Sequence, residues 1–227
     1  MINHIGFILD GNRRYAKEHN INYDEAYEKA AQTVTNIVRW ILVENKANIL
    51  SVYALSLDNV TKRSAMELEP IYRVQKKTYE EWLESKIMLN NDIRVQFIGE
   101  TQLLPKDYKR ACLNLEEQTK NCTGKKFYVL VAYSGQMETI KATEYFHINE
   151  PKNFNHLREK FMKYLSIKEI VDLVIRTAGE QRLSDFLPIQ TTYAEFVFLD
   201  KYFPALTKED VERAIEHFSR RKRKFGE

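Results

Sequence analysis

At 227 residues the chain is long enough for one domain with a sizeable core, and with 44% hydrophobic and 30% charged residues it reads as soluble and globular. No apolar run approaches the length of a membrane span, and a net charge of +3 makes no general demand for nucleic acid or anionic lipid. The two cysteines, Cys112 and Cys122, have neither CxxC spacing nor neighbouring His, which argues for reduced thiols and against a zinc site. No basic segment followed by a long apolar stretch opens the chain, so a cytoplasmic protein is expected. With 7 Gly, 5 Pro and no internal repeat, a single domain over 1–227 is expected.

The first apolar run, Ile5 to Leu9, reads as a buried strand that stops at Asp10 and is followed by Gly11, Asn12, Arg13 and Arg14. Asp24 is the expected cap of a helix whose apolar face holds Ala26, Ala30, Val34, Ile37, Val38, Ile41 and Leu42. Ile49–Leu55 is a second strand, ending in Ser56, Asp58, Asn59, Lys62 and Arg63. Ser64 and Glu67 form a capping box that opens a long helix to about Met88. Strands follow at Ile93–Ile98 and Lys126–Tyr133, with Pro105 in the first turn of the helix between them. Helices are expected over about Gln136 to Phe146 and over Asn155–Leu165. Val171–Ile175 is a fifth strand, ending in Arg176, Arg182 and Ser184; a short helix with Phe186, Leu187 and Ile189 is expected next. Phe196–Leu199 is a sixth strand, and Thr207 with Asp210 caps a last helix that runs into the basic tail Arg220–Lys224.

Apolar strands alternating with helices predict an α/β fold: a mostly parallel six-stranded sheet covered by helices on both faces, with ligands bound beyond the carboxyl ends of the strands. Three of those ends carry similar chemistry. A carboxylate such as Asp10 suits a divalent metal, the Gly11 turn allows close backbone approach, and Arg guanidiniums fork onto phosphate oxygens. One such end alone reads better as a solvated Asp-Gly turn. Three at one edge favour an anion site, sized for two phosphates or two diphosphates. No Gly-rich nucleotide motif, nucleophile elbow, HExxH or Asp-Asp pair is present, and the five His are scattered.

These residues resemble the signatures of the cis-prenyltransferases, the family of undecaprenyl, polyprenyl and dehydrodolichyl diphosphate synthases. HIGFILDGNRRYAK is similar to the first, in its archaeal and eukaryotic form; YALSLDNVTKRS is similar to the second; Asp172 to Phe198 resembles the last. The resemblance implies a transferase that condenses an allylic prenyl diphosphate with isopentenyl diphosphate, with Mg2+ as cofactor. It implies that Asp10 and Glu195 hold the metal. Gly11, Asn12, Arg13 and Arg14 would cradle the allylic diphosphate; Arg176, Arg182 and Ser184 would hold the isopentenyl one. Ser56 and Asn59 would position groups around the carbon being deprotonated, with Asp58 beside them. An apolar tunnel is expected from residues such as Ile41, Leu42, Val52, Leu55, Phe97, Phe127 and Val129. The resemblance also implies a homodimer, with a heteromer as the alternative, and peripheral membrane contact for product release. By position, Lys224 stands for a family Arg that reaches across the dimer.

The sequence departs from the family pattern in several places. Tyr27 and Ala30 stand where the family has His and Gly, and Asp58 and Val60 stand where it has Glu and an aromatic. The basic residue of the second signature is Lys62 in strict register or Arg63 with a one-residue slip. AYSGQ replaces a Tyr-Gly-Gly-Arg run, and Pro188 follows Leu187. Some of these features also resemble the branch that makes lavandulyl-type irregular diphosphates from allylic units. Other readings are a non-catalytic partner subunit, which the retained Asp10, Arg14, Arg176, Arg182 and Glu195 argue against, and an RNA-binding protein resting on the basic tail alone.

Overall fold

The six apolar runs form one parallel sheet in the computed structural model, which describes residues 2–149 and 156–220. The strands are β1 His4–Ile8, β2 Ile49–Ser56, β3 Ile93–Ile98, β4 Lys125–Tyr133, β5 Leu173–Arg176 and β6 Glu195–Phe198. Their order is β3-β4-β2-β1-β5-β6, and every pair is parallel. β1 and β5 are buried along their whole length, as near-continuous apolar runs require in a sheet covered on both faces. After β4 the chain crosses from one flank of β1 to the other, which makes the end of β1 a topological switch point. Ile8 registers with Tyr53 and with Arg176, so Asp10, Ser56 and Arg176 emerge at one edge.

The helices are α1 Asn12–Glu18, α2 Tyr23–Val38, α3 Leu57–Lys62, α4 Ala65–Ser85, α5 Ile87–Asn90, α6 Lys106–Thr119, α7 Gly135–Asn149, α8 Leu157–Met162 and α9 Lys208–Arg220. The cap of α2 is Asn22, whose side chain accepts the Glu25 N–H at 2.8 Å, and not Asp24. Asx side chains compete for that position, and Asp24 is instead drawn onto Arg73 at 2.5 Å. The Ser64–Glu67 capping box forms as expected. The long helix ends early because Lys86 turns into the left-handed region, φ +52°.

One face of the sheet packs Phe7, Val52, Phe127 and Val129 against Ile37, Trp82, Leu115 and Val211 of the helical layer. The other face buries Tyr53, Leu130 and Val174 beneath Ile167, Val171, Phe186 and Leu187. The short helix expected around Phe186, Leu187 and Ile189 is absent; the connection from β5 to β6 is a chain of turns. Ser184, Asp185 and Leu187 have φ of +49°, +70° and +43°, which a helix cannot include. Asp185 anchors this loop: its carboxylate accepts the Ser134 hydroxyl at 2.6 Å and the Gln136 N–H at 2.8 Å. Gly135 is required where the loop passes, since a Cβ there would lie 2.1 Å from Pro188 Cδ. Among the described residues no helix is long and apolar enough to cross a membrane.

Candidate active site

Asp10 stands where β1 ends, and its backbone is locked to β5 from both sides. Its N–H donates to the Thr177 hydroxyl at 2.9 Å, and that hydroxyl donates to the Asp10 carbonyl at 2.7 Å. The carboxylate is about a third exposed and is framed by two guanidiniums: Arg176 at 2.9 Å on Oδ2 and Arg14 at 3.2 Å on Oδ1. Gly11 donates its N–H to Oδ1 at 2.7 Å. It takes φ +100°, and a Cβ there would lie 2.7 Å from the Tyr202 ring, so the turn that presents Asp10 requires glycine.

A first group of cations gathers on this side of the edge. Arg176, 3% exposed, also donates to the Ser184 hydroxyl at 2.8 Å and to the Arg182 carbonyl. Arg14 and Arg182 both reach Glu180, at 3.2 and 2.5 Å. Arg182 keeps 61% of its side chain exposed, which leaves donors free for an incoming anion.

A second group lies across the opening. Arg13 pairs with Glu67 at 3.2 Å. Arg63 lies beside the Tyr27 hydroxyl, and burial together with the neighbouring Arg13 charge pushes the Arg63 guanidinium below its ordinary range. Two like charges held this close favour an anion between them. Burial raises the Tyr27 phenol above its ordinary value, so near neutral pH it is a protonated hydroxyl and a hydrogen-bond donor. The Glu67 carboxylate is held below its usual range, first by its hydrogen bonds to Ser64. Arg13 and Arg14, adjacent in sequence, thus serve different groups.

Both groups open onto one cavity of about 1260 Å³. Asp10, Gly11, Asn12, Arg13, Arg14, Tyr27, Ser56, Asp58, Asn59, Arg63, Arg176, Arg182 and Ser184 all line it. Its wall is largely apolar, with Ala30, Val34, Leu55, Ile71, Val74 and Trp82 among the lining residues. Asn12 Oδ1 and Arg176 Nε are buried without a partner among the described residues, as expected where a ligand completes the bonding.

Three expectations change. Glu195 begins β6 opposite Leu173, at the amino end of that strand, and does not line the cavity. Asp10 lies beyond Ile8, which registers with Arg176, so the two carboxylates are separated by roughly 10 Å along the strands alone. Within one chain the two do not meet at one ion. Lys62 faces outward onto Asp58 at 2.7 Å, both side chains more than 70% exposed, and Arg63 takes the cavity position. Ile41, Leu42 and Phe97 belong to the closed core, whereas Val52, Leu55, Phe127 and Val129 do line the cavity. Ser56 is the N-cap of α3, its hydroxyl accepting the Asn59 N–H at 3.1 Å. Lys224 lies outside the described residues.

Among the described residues no cluster of three His, Cys, Asp or Glu forms a protein cage for a metal. Magnesium needs only one or two carboxylates when phosphate oxygens and water complete its shell, and Asp10 beside anion-binding cations fits that pattern. Thr177, Glu180 and Glu67 are site residues that the sequence reading did not assign to the site. Glu180 was open to inference, since it lies between the two Arg of one motif.

A strand-edge cavity with two cation groups and an apolar interior defines a protein for anions with long apolar tails. The model of the prenyltransferase family described as undecaprenyl diphosphate synthase matches residues 8–226. The chain is 36% identical over 227 residues to a tritrans,polycis-undecaprenyl-diphosphate synthase (geranylgeranyl-diphosphate specific) of Pyrobaculum aerophilum, covering 98% of this chain and 95% of the other. The fold is similar to that of lavandulyl diphosphate synthase from Lavandula x intermedia in complex with dimethylallyl diphosphate: TM-score 0.91, 27% identity, 100% and 98% of the two chains. It is also similar to a probable undecaprenyl diphosphate synthase from Campylobacter jejuni: TM-score 0.81, 28% identity, 100% and 99% covered. The chain belongs to the cis-prenyltransferase family, and it is a transferase of prenyl groups.

Proposed function

We propose that the protein condenses an allylic prenyl diphosphate with isopentenyl diphosphate, head to tail, to give a longer cis-prenyl diphosphate and free diphosphate. The observation that carries this reading is that two cation groups, one on Asp10 and Arg176 and one at Arg13 and Arg63, line a single cavity whose remaining wall is largely apolar. Arg13, Arg63 and the Tyr27 hydroxyl would hold the diphosphate of the long allylic chain, whose tail fills the cavity. Arg176, Arg182, Ser184 and Arg14 would hold the short isopentenyl diphosphate. The allylic carbon–oxygen bond breaks as the new carbon–carbon bond forms, and the isopentenyl unit gives up a proton to the departing diphosphate. Fixed guanidiniums stabilise the charge that builds on that leaving group, and the apolar wall keeps water from the allylic cation. Magnesium held by Asp10 and the diphosphate oxygens would neutralise phosphate charge and strengthen the leaving group.

The geranylgeranyl specificity in the name of the Pyrobaculum aerophilum relative makes that primer the first to test. The exposed apolar side chains of α7, Ile140, Tyr145 and Ile148, at 57%, 59% and 74% exposure, support a homodimer in which a second copy covers them. Release of the long apolar product supports peripheral contact with a membrane.

The likeness to the lavandulyl diphosphate synthase structure supports a second reading, joining of two allylic units. One experiment separates the two. Purified protein with magnesium is given dimethylallyl, farnesyl or geranylgeranyl diphosphate, with and without labelled isopentenyl diphosphate. Label in a longer chain is the expected result. Product from dimethylallyl diphosphate alone would establish the irregular reaction instead.

A further inference from the structure

On α4 the largely apolar wall of the cavity carries a polar amide, Gln75, with Thr78 and Tyr79 on the next turn. Gln75 lies on the cavity face of α4, next to Val74 and one turn after Ile71. Its Oε1 accepts the hydroxyl of Tyr108 at 2.7 Å, and Tyr108 is itself paired with the Tyr79 hydroxyl at 3.1 Å. Its Nε2 donates to the carbonyl of Ala54 at 3.3 Å. Ala54 is the residue at which β2 slips register against β4: Tyr53 pairs with Leu130 and Leu55 with Val131, leaving Ala54 without a partner. The bulge releases the Ala54 carbonyl from the ladder, and Gln75 takes it up. The second N–H of the amide has no acceptor among the described residues.

Position gives this bridge its meaning. Glu67 stands beside Arg13 at the mouth, and Trp82 packs on Phe127, rings 5.7 Å apart, at the inner end. Along α4, Gln75 is about 12 Å from Glu67 and about 10 Å from Trp82. It therefore lines the cavity about midway along α4, tied to β2 on one side and to Tyr108 on the other. Tyr108, 1% exposed, and Tyr79, 3% exposed, prevent the amide from turning away. An apolar chain that stops short of Gln75 leaves the free N–H in water. A chain that passes it strips that water and offers no acceptor, a cost felt only beyond this depth.

We infer that Gln75 is a polar stop: held by Tyr108 against the bulge of β2, its amide limits how far a prenyl chain advances and so sets product length. The inference rests on the proposed reaction and adds a specificity-determining residue to it. Binding of geranyl, farnesyl, geranylgeranyl and a longer polyprenyl diphosphate is measured on the full chain without isopentenyl diphosphate, followed by the product ladder with it. In the wild type, affinity rises with each unit and then ceases to rise once the chain reaches Gln75. Gln75→Met keeps length and removes the polar group. It is expected to restore the rise, binding the longest chain roughly tenfold tighter, to leave geranyl diphosphate unchanged within about twofold, and to lengthen the products. Tyr108→Phe, which frees the amide while keeping the ring, is expected to broaden the ladder toward longer products. Identical affinity steps and ladders in wild type and Gln75→Met overturn the stop and leave the reaction standing. No binding of any prenyl diphosphate to the wild type overturns the reaction, and the stop with it.

Discussion

At the amino edge of the sheet, His4 lies fully buried with Nε2 2.7 Å from the Ser51 hydroxyl. Around it Tyr128 and Lys126 donate to Glu169, at 3.1 and 2.5 Å, and Asp172 accepts the backbone N–H groups of Asn3 and His4. At the carboxyl edge, Asp10, Glu180 and Glu67 are shared among Arg13, Arg14, Arg176 and Arg182, with Arg63 beside Tyr27. Both clusters mix acids, cations and hydroxyls. The first encloses a neutral imidazole whose Nδ1 is the cluster's one buried side-chain polar atom without a hydrogen-bond partner among the described residues, and the Lys126 ammonium is matched by a carboxylate. The second holds more guanidinium donors than its carboxylates accept, and it lines a cavity. A polar cluster whose partners lie within the fold stabilises the fold; one with donors left over is built for a ligand.

The sharpest way to break this comparison is Asp10→Asn. The amide keeps an acceptor for the Gly11 N–H but loses the charge that Arg14 and Arg176 frame. Turnover is expected to fall by at least about 10²–10³-fold, with the melting temperature shifted by only a few degrees. Steady-state rates at saturating magnesium, with a thermal melt of the same sample, check both parts. Near-wild-type turnover would remove Asp10 from the reaction.

His4 is expected to behave in the opposite way. Burial outweighs the pull of Glu169 and Asp172 and lowers its pKa from the ordinary 6.5 to about 4. Between those values the unfolded chain binds a proton that the folded chain refuses. Stability is therefore complete above about pH 6.5 and is lost as pH falls toward 4, by about 3 kcal/mol. Urea unfolding across that range, compared with His4→Asn, isolates the contribution; the variant's curve should be flatter by that amount. Equal slopes would mean that His4 protonates in place.

The two edges also differ in how far the sequence disclosed them. The apolar runs gave the strands almost to the residue because a strand buried on both faces leaves a short, continuous signal. Asp10 and Arg176 were readable because a charge at the end of such a run has no core role. The place of Glu195 was not readable: motif order says nothing about strand direction, and only the register with Leu173 shows that it starts its strand. The loop after β5 looked helical because Phe186 and Leu187 are apolar. Its left-handed residues, Ser184, Asp185 and Leu187, carry no sequence mark, since they are held by Asp185 on α7 and not by glycine. Gln75 left no signal either, because its importance depends on a bulge in a distant strand.

The division of the carboxyl edge into two groups sharpens the comparison next. Arg63→Ala is expected to weaken the allylic diphosphate roughly 10- to 100-fold while changing isopentenyl diphosphate little, as loss of a charge-assisted contact implies. Arg182→Ala is expected to show the reverse preference. Lys62→Ala, which removes only an exposed pair with Asp58, should change either constant by less than about twofold. Michaelis constants for both substrates in the three variants decide the matter. Equal effects of Arg63→Ala and Arg182→Ala on both substrates would merge the two groups into one.

The smallest effect concerns Ser56, where one hydroxyl stands between structure and chemistry. It lines the cavity, and it also caps α3 by accepting the Asn59 N–H. Ser56→Ala is expected to cost about 1 kcal/mol of stability and to lower turnover, because Asn59 is carried by the turn that loses its cap. Asparagine caps nearly as well as serine but brings no hydroxyl. If Ser56→Asn restores both stability and rate, the hydroxyl acts by placing Asn59, which is the expected outcome. If stability returns without rate, and Ser56→Thr restores both, the hydroxyl itself meets the substrate, and the division between fold-stabilising and ligand-binding partners runs through a single side chain.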